Sequence, residues 1–306
     1  MGRSVDGVDV GYTSGAARVT LMAGVPTTGV FSTDGWGWIG KVGLGYGAVT
    51  LPGPWGADRG ELRAFGIYYR DGRELVKTDN RPLADRQADT EPIAIGTLGG
   101  HYLQVMPTAA GSVDLMVWGA WQFGDWGKLD HSAWAGTAEL GWQPAVLDGV
   151  RPWLRVGYFR SRGDQATSDQ THGTFFQILP TPRAYARFPF YNMMNLEDVS
   201  ASLSLRPGTR TTLRADLRGL RLADRNDGWY LGGGTGADGD FGYAARPSNG
   251  SRSLATLVDL SADVRINSHW TVGGYGSRAI AGRVIKNIYP TRPDSWFGYL
   301  ELEYRW

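Results

Sequence analysis

The last eleven residues of the chain alternate between apolar and polar side chains. An extended strand over residues 296–306 sends successive side chains to opposite faces. One face is apolar and has aromatic rings near both ends: Trp296, Gly298, Leu300, Leu302, Tyr304 and Trp306. The other face carries the charges of Glu301, Glu303 and Arg305. Strands that face lipid have this arrangement, with rings at the two membrane interfaces; the alternative is an edge strand of a soluble sandwich.

Alternating segments of this kind recur along the whole chain, and thirteen strands are predicted. Each is about ten residues long, which is the length that spans a bilayer when a strand is tilted. The segment around residues 133–142 again has tryptophans, Trp134 and Trp142, at the two ends of its apolar face.

A third segment, near residues 38–50, alternates apolar side chains with glycines. Its glycines are Gly43, Gly45 and Gly47. We expect the apolar side chains to face lipid and the glycines to face inward. Small residues on the inner face would leave room for bulky neighbours or for a solute.

The links between the predicted strands alternate between long and short. Long links cover residues 71–91, 161–196, 223–252 and 281–294, and short links cover 13–16, 143–149, 206–209 and 267–268. Outer-membrane barrels have short periplasmic turns and long extracellular loops, whereas a soluble sandwich gives no reason for such alternation. The sequence therefore predicts an all-β fold, a transmembrane antiparallel up-and-down β-barrel, with residues 1–306 as one domain in the bacterial outer membrane.

The number of strands has a consequence for the N-terminus. A single-chain barrel has an even number of strands and begins and ends in the periplasm. Thirteen strands that end in the periplasm would begin outside the cell, and residues 1–6 lack the apolar region of a signal peptide. We therefore expect the chain to be the C-terminal part of a longer barrel; a miscount by one strand is the alternative.

Composition argues against several other classes of protein. The 306 residues include no cysteine, which removes disulfides, thiolate metal sites and cysteine nucleophiles. A net charge of +1 gives no bulk field for nucleic acid, and no run of about 18 apolar residues predicts a transmembrane helix. The four histidines lack ligand spacing, and no Gly-x-Ser-x-Gly elbow is present. We therefore expect neither an enzyme nor a bound cofactor or metal.

The polar faces of the predicted strands define a candidate lumen. The charged residues expected there are Arg155, Arg214, Asp216, Arg218, Asp259, Asp263, Arg265, Glu301, Glu303 and Arg305. Arginine suits carboxylate recognition because its planar fork can bond both oxygens, and a ring of arginines in a narrow pore selects anions. The alternative is a structural network in which the charges around Arg214 and Arg218 pair with Asp259 and Asp263 on the next strand.

The apolar faces define the expected contact with the membrane. The aromatic girdle is predicted at Trp134, Trp142, Trp296, Tyr304 and Trp306. These residues would contact outer-membrane lipid. The C-terminal strand, which ends on an aromatic residue, would also be the signal for the barrel-assembly machinery.

Two segments resemble a known family. Gly173-Thr174-Phe175-Phe176 precedes Leu179-Pro180-Thr181, and Asp227-Gly228-Trp229-Tyr230 follows. These elements are similar to the pattern of the alginate-export family of outer-membrane proteins. The resemblance implies a monomeric barrel of about eighteen strands, of which about five would be absent here. It also implies that an anionic uronate polymer passes through an electropositive lumen.

Three functions follow from this sequence. The first is an outer-membrane channel that passes an anionic, alginate-like saccharide polymer or small anionic solutes through an arginine-lined lumen. The second is a general or uptake porin with another selectivity. The third is a structural barrel whose lumen is closed.

Overall fold

The computed structural model describes residues 4–28, 37–54, 56–179 and 186–306. The strands in these ranges are β1 (Val5–Ser14), β2 (Ala17–Pro26), β3 (Val42–Gly53), β4 (Gly56–Asp71), β5 (Ile93–Thr108), β6 (Gly111–Trp126), β7 (Leu129–Pro144), β8 (Trp153–Ser161), β9 (Thr171–His172), β10 (Leu196–Leu205), β11 (Thr211–Leu222), β12 (Trp229–Gly232), β13 (Tyr243–Arg246), β14 (Ser253–Arg265), β15 (Trp270–Ala281) and β16 (Ser295–Tyr304). The helices are α1 (Leu83–Gln87) and α2 (Arg283–Ile288).

One large antiparallel sheet dominates the structure. Within the described ranges, thirteen strands pair in the order β1-β2-β3-β4-β5-β6-β7-β8-β10-β11-β14-β15-β16. Each strand therefore lies beside the next long strand in the chain, as an up-and-down meander requires. The predicted all-β class and the order of these strands are confirmed. The short strand β9 adds to β7 in parallel, and β12 and β13 form a separate hairpin.

The links lie at two ends of the sheet, here called the turn end and the loop end. The turn end includes the short links 15–16, 109–110, 206–210 and 266–269, together with 145–152. The loop end includes the long segments 72–92, 162–195, 223–252 and 282–294. The predicted alternation has one exception, because residues 127–128 join β6 to β7 at the loop end by a tight turn with Gly127 at φ 63°.

The two faces of the sheet differ as the alternation predicts. We call the face against which the long loop-end segments pack the inner face. On β7, Trp134 and Trp142 are exposed on the outer face, while Ala133 and Ala135 are buried on the inner face. The remaining girdle residues Trp296, Tyr304 and Trp306 are also exposed. No helix in the described ranges is long and apolar enough to cross a bilayer.

The prediction for the glycine-rich third strand is wrong. Val42 and Ala48 of β3 are buried, and Tyr46 lines an inner cleft. Val49, which shares its face with the glycines, is exposed on the outside. The apolar side chains of β3 therefore face inward, because a packed core covers the inner face there. The glycines lie on the outer face, so they open no space for a solute on the inner side.

The sheet has two open edges. Within the described residues, β1 pairs only with β2, and β16 pairs only with β15. Nearly all side chains of these two strands are exposed, on both faces. In the register of β16, Tyr304 lies opposite Trp270, and the two rings are 4.7 Å apart.

A packed core covers the inner face at the loop end. Its rings come largely from the long segments, including Phe175, Phe176, Phe188, Tyr191, Trp229, Tyr230, Phe241 and Tyr243. They pack on inner-face residues near the strand ends, including Tyr69, Ile95, Trp126, Leu220 and Leu257. Burying this much aromatic and aliphatic surface holds the long segments on the sheet.

Candidate functional site

A polar cavity of about 470 Å³ lies against the inner face of β7, β8, β10, β11 and β14. It lies nearer the turn end than the core does. Among the described residues its charged lining consists of Arg155, Arg187, Arg206, Arg214, Arg218, Glu139 and Asp263. The wall also carries hydroxyl groups, from Ser200, Ser202, Ser204, Thr212 and Ser261, and Met116 and Trp153 complete it. The three serines of β10 share one face because inner positions recur at every second residue.

Two carboxylates hold Arg155 in place. Its guanidinium donates to Asp114 at 2.5 Å and to Glu139 at 3.0 Å. Asp114 also accepts a hydrogen bond from the indole of Trp153 at 2.8 Å, and the Arg155 guanidinium lies 4.4 Å from that ring centroid. Arg155 is therefore both neutralised and fixed, with one side toward the cavity.

Arg214 and Arg218 of β11 differ in their surroundings. Arg214 is half-exposed and makes a forked ion pair with Asp216, two residues along the same strand. Arg218 is nearly buried and pairs with Asp198 of β10, which also accepts a hydrogen bond from Tyr191. These ion-pair partners lie on β11 itself and on β10, and Arg218 also interacts electrostatically with Asp259 of the next strand, as in the alternative network.

Arg187 and Arg206 also line the cavity, and the alternation analysis does not find them. Arg187 lies in the long segment before β10, and Arg206 starts the turn after β10. The Arg187 guanidinium lies 5.6 Å from the ring centroid of Tyr275. In the described part of the chain, no carboxylate lies within 4 Å of either guanidinium. Their positive charges are therefore the least compensated in the wall.

The other predicted lumen residues lie around the cavity or away from it. Asp259 is buried beneath the wall, where Ser277 donates to it. Arg265 lies at the turn end and donates to the carbonyl of Thr209. Glu301 and Glu303 are exposed on the edge strand β16, and Glu303 pairs with the exposed Arg305 just after the strand.

One buried carboxylate, Asp227, joins several segments of the core at the loop end. Asp227 is buried and accepts hydrogen bonds from the hydroxyls of Thr174 and Tyr230, each at 2.6 Å. It also accepts the backbone N–H groups of Asp164 and Gly228. The two segments that carry the family resemblance are thus joined directly, although 53 residues separate Thr174 from Asp227. Pro180 and Thr181 of the resemblance lie outside the described residues.

Burial changes the acidity of carboxyl groups in these loop segments. Burial raises the pKa of Asp227 to about 6, against the opposing effect of its four hydrogen-bond donors. Burial, together with the nearby charge of Asp169, also raises the pKa of Asp164 to about 6. Both carboxyls therefore take up a proton more readily in the folded state than in the unfolded chain.

Two histidines that have no ligand spacing in the sequence meet in the core. The Nδ1 atoms of His131 and His172 are 2.9 Å apart, and His172 stacks on Trp126 with centroids 4.0 Å apart. Burial holds the pKa of His172 well below its ordinary value, so its ring stays neutral. The Trp126 indole donates to Asp79, which pairs with Arg81. These contacts join the segment 72–92 to the same core.

Comparison with known proteins agrees with this architecture. A search of curated proteins finds no significant match. The family model described as alginate export matches residues 54–293, which cover β4 to β15, the cavity and most of the core. A match over more than half of the chain establishes membership, and the chain belongs to the alginate-export family.

Proposed function

We propose that this chain forms a channel in the bacterial outer membrane and passes an anionic, alginate-like saccharide polymer along the polar cavity. The observation that carries the proposal is the lining itself, in which guanidinium groups lie beside a row of serine hydroxyls. A uronate residue presents a carboxylate and several hydroxyls. The paired N–H donors of an arginine guanidinium suit the carboxylate. Serine hydroxyls can donate hydrogen bonds to the sugar hydroxyls and accept hydrogen bonds from them.

The balance of charge in the wall favours passage over tight binding. Arg155, Arg214 and Arg218 already share their charge with carboxylates. The positive charges of Arg187 and Arg206 are not paired with a carboxylate among the described residues, so they attract an anion. Because only these two charges of the described wall are uncompensated, the anion is not held tightly. Conduction requires binding that is favourable enough for entry and weak enough for exit.

The outer face supports a membrane location. Alternate positions expose apolar side chains, and the aromatic residues Trp134, Trp142, Trp296, Tyr304 and Trp306 would lie at the interfaces with lipid. In this proposal residues 1–306 belong to one barrel domain. The barrel-assembly machinery would recognise the C-terminal strand β16.

Planar-bilayer measurements test the channel. Under a KCl gradient the protein is expected to prefer anions. Replacing both Arg187 and Arg206 by Gln should lower the anion-to-cation permeability ratio several-fold, because each unit charge contributes on the order of 1 kcal/mol to a nearby ion in water. The control is Arg278→Gln, which removes one positive charge next to Trp296 on the outer face and is compared with each single variant, Arg187→Gln and Arg206→Gln.

Four outcomes would count against this proposal. A preference for cations, or a selectivity that the double variant leaves unchanged, would contradict the arginine pathway. Anion conductance that oligouronates do not affect would favour an uptake porin for small solutes. Absence of conductance would favour a closed structural barrel.

A further inference from the structure

A second cavity on the inner face has a different chemistry. It has a volume of about 410 Å³ and lies between β3–β6 and the segment that follows β9. We call it the aromatic cleft and define it by Tyr46, Arg63, Phe65, Trp118, Phe175 and Ile178. Arg63 is its single formally charged lining residue among those described.

The aromatic walls form a defined corner. The rings of Trp118 and Phe175 meet edge-on, with centroids 6.4 Å apart and an angle of 89°. The Phe65 ring lies over Gly99, where an added Cβ atom would be 2.5 Å from Cζ of the ring. Gly99 therefore lets the Phe65 ring lie back against the sheet. A side chain at this position would push the ring into the cleft.

Most polar groups of the cleft are already bonded within the protein. The amide of Gln122 donates to the carbonyl of Phe176 at 2.8 Å and accepts its N–H at 2.7 Å. Gln177 accepts the N–H of Met193. A sugar with hydroxyls around its ring would find few free partners here, and a buried hydroxyl without a partner is unfavourable.

The exception is the mouth of the cleft at Arg63. Its Nε atom donates to Thr50 at 2.9 Å, and its Nη2 atom lies 3.4 Å from Glu61. Glu61 is shared with His101, whose Nε2 atom is 2.6 Å away. Among the described residues, Nη1 of Arg63 has no hydrogen-bond partner. One charged donor therefore remains at the end of an apolar, ring-lined space.

We propose that the aromatic cleft binds an aromatic monocarboxylate, with its ring between Phe65, Trp118 and Phe175 and its carboxylate on Arg63. Concave, mostly apolar sites with few polar anchors are the usual form of small-molecule sites, and the volume is in their range. The cleft would bind such a ligand whether or not the polar cavity conducts.

Fluorine NMR with 4-fluorocinnamate tests the cleft on the chain of residues 1–306 in detergent micelles. We expect saturable one-to-one binding with a Kd on the order of 1 mM or tighter, as about twelve heavy atoms allow. The neutral analogue 4-fluorocinnamyl alcohol should bind at least about tenfold more weakly, because it lacks the charge-assisted bond to Arg63. Galacturonate, an acid without an aromatic ring, should not compete.

Two variants locate the site. Arg63→Met should weaken binding by about tenfold or more, and Phe65→Leu should weaken it while leaving the charge in place. The matched control is Arg70→Met, which removes a charge from an exposed position of the same strand. No saturable binding, equal binding of acid and alcohol, competition by galacturonate, or full affinity in the Arg63→Met and Phe65→Leu proteins would overturn the proposal.

Discussion

The two ends of the inner face are built in opposite ways. At the loop end, rings from segments far apart in the chain fill the space, and buried polar groups such as Asp227 find partners inside the core. At the turn end, the wall consists mainly of strand side chains, and charged groups such as Arg214 remain exposed to the cavity. One sheet thus carries a closed region and an open one.

The difference separates residues that hold the fold from residues that meet a solute. A buried carboxylate with four donors is costly to disturb, because each donor left without a partner is destabilising. An exposed ion pair contributes little to stability. Substitutions of buried polar groups should therefore change the free energy of unfolding, whereas substitutions of exposed charges in the cavity wall should change transport.

The largest effect is expected from Asp227→Ala. Removing this carboxylate leaves the hydroxyls of Thr174 and Tyr230 and two backbone N–H groups without their acceptor. Amide hydrogen exchange should show loss of protection in the long loop-end segments, with a cost above roughly 3 kcal/mol. Asp169→Ala, which removes one exposed bond to the Thr171 N–H, is the control. Equal protection in the Asp227→Ala and Asp169→Ala proteins would contradict the central role of Asp227 in the loop-end core.

A smaller effect should separate two arginines on one strand. Arg218→Met leaves Asp198 buried without its ion-pair partner, which costs on the order of 3 kcal/mol. The same change at the half-exposed Arg214 should cost about 0–1 kcal/mol. Urea unfolding followed by circular dichroism measures both. If Arg214→Met destabilised the protein as much as Arg218→Met, the distinction between buried and exposed charges would be wrong.

The smallest effect is a dependence of loop-end stability on pH. A carboxyl whose pKa is higher in the folded state contributes its full stabilisation below the unfolded pKa, and this is lost as pH rises through the folded pKa. For Asp227 and Asp164 protection from hydrogen exchange, corrected for the intrinsic rate, should fall between pH 4 and about 6 and stay level above it. Asp227→Asn should flatten this dependence. Protection that rises between pH 4 and about 6 would contradict the raised pKa values of Asp227 and Asp164 in the folded state.

Alternation in the sequence predicts the strands well but does not by itself say which face is inside. For β7, apolar side chains such as Trp134 lie on the outer face as expected. For β3 the same rule fails, because the inner face at that position is an apolar core and Val42 belongs to it. An apolar face can meet either lipid or a core, and only the tertiary structure decides.

The core and part of the cavity depend on contacts that local patterns do not contain. The bond between Thr174 and Asp227, and the contact between His131 and His172, join residues 53 and 41 positions apart. The alternation of side chains along each strand predicts that Arg155, Arg214 and Arg218 face inward. It does not predict the position of Arg187, which lies in a long segment without alternation. The short strands β9 and β12 have too few residues for a period of two to be recognised.

The side from which an oligouronate blocks the channel tests the division most directly. Since the chain has no cysteine, Thr209→Cys with a bulky maleimide label marks the turn end in a planar bilayer. Oligomannuronate is then added to one side at a time while single-channel current is recorded. The polar cavity lies toward the turn end and the core covers the loop end, so block should be faster and stronger from the labelled side. Equal block from both sides, or block only from the unlabelled side, would contradict the account.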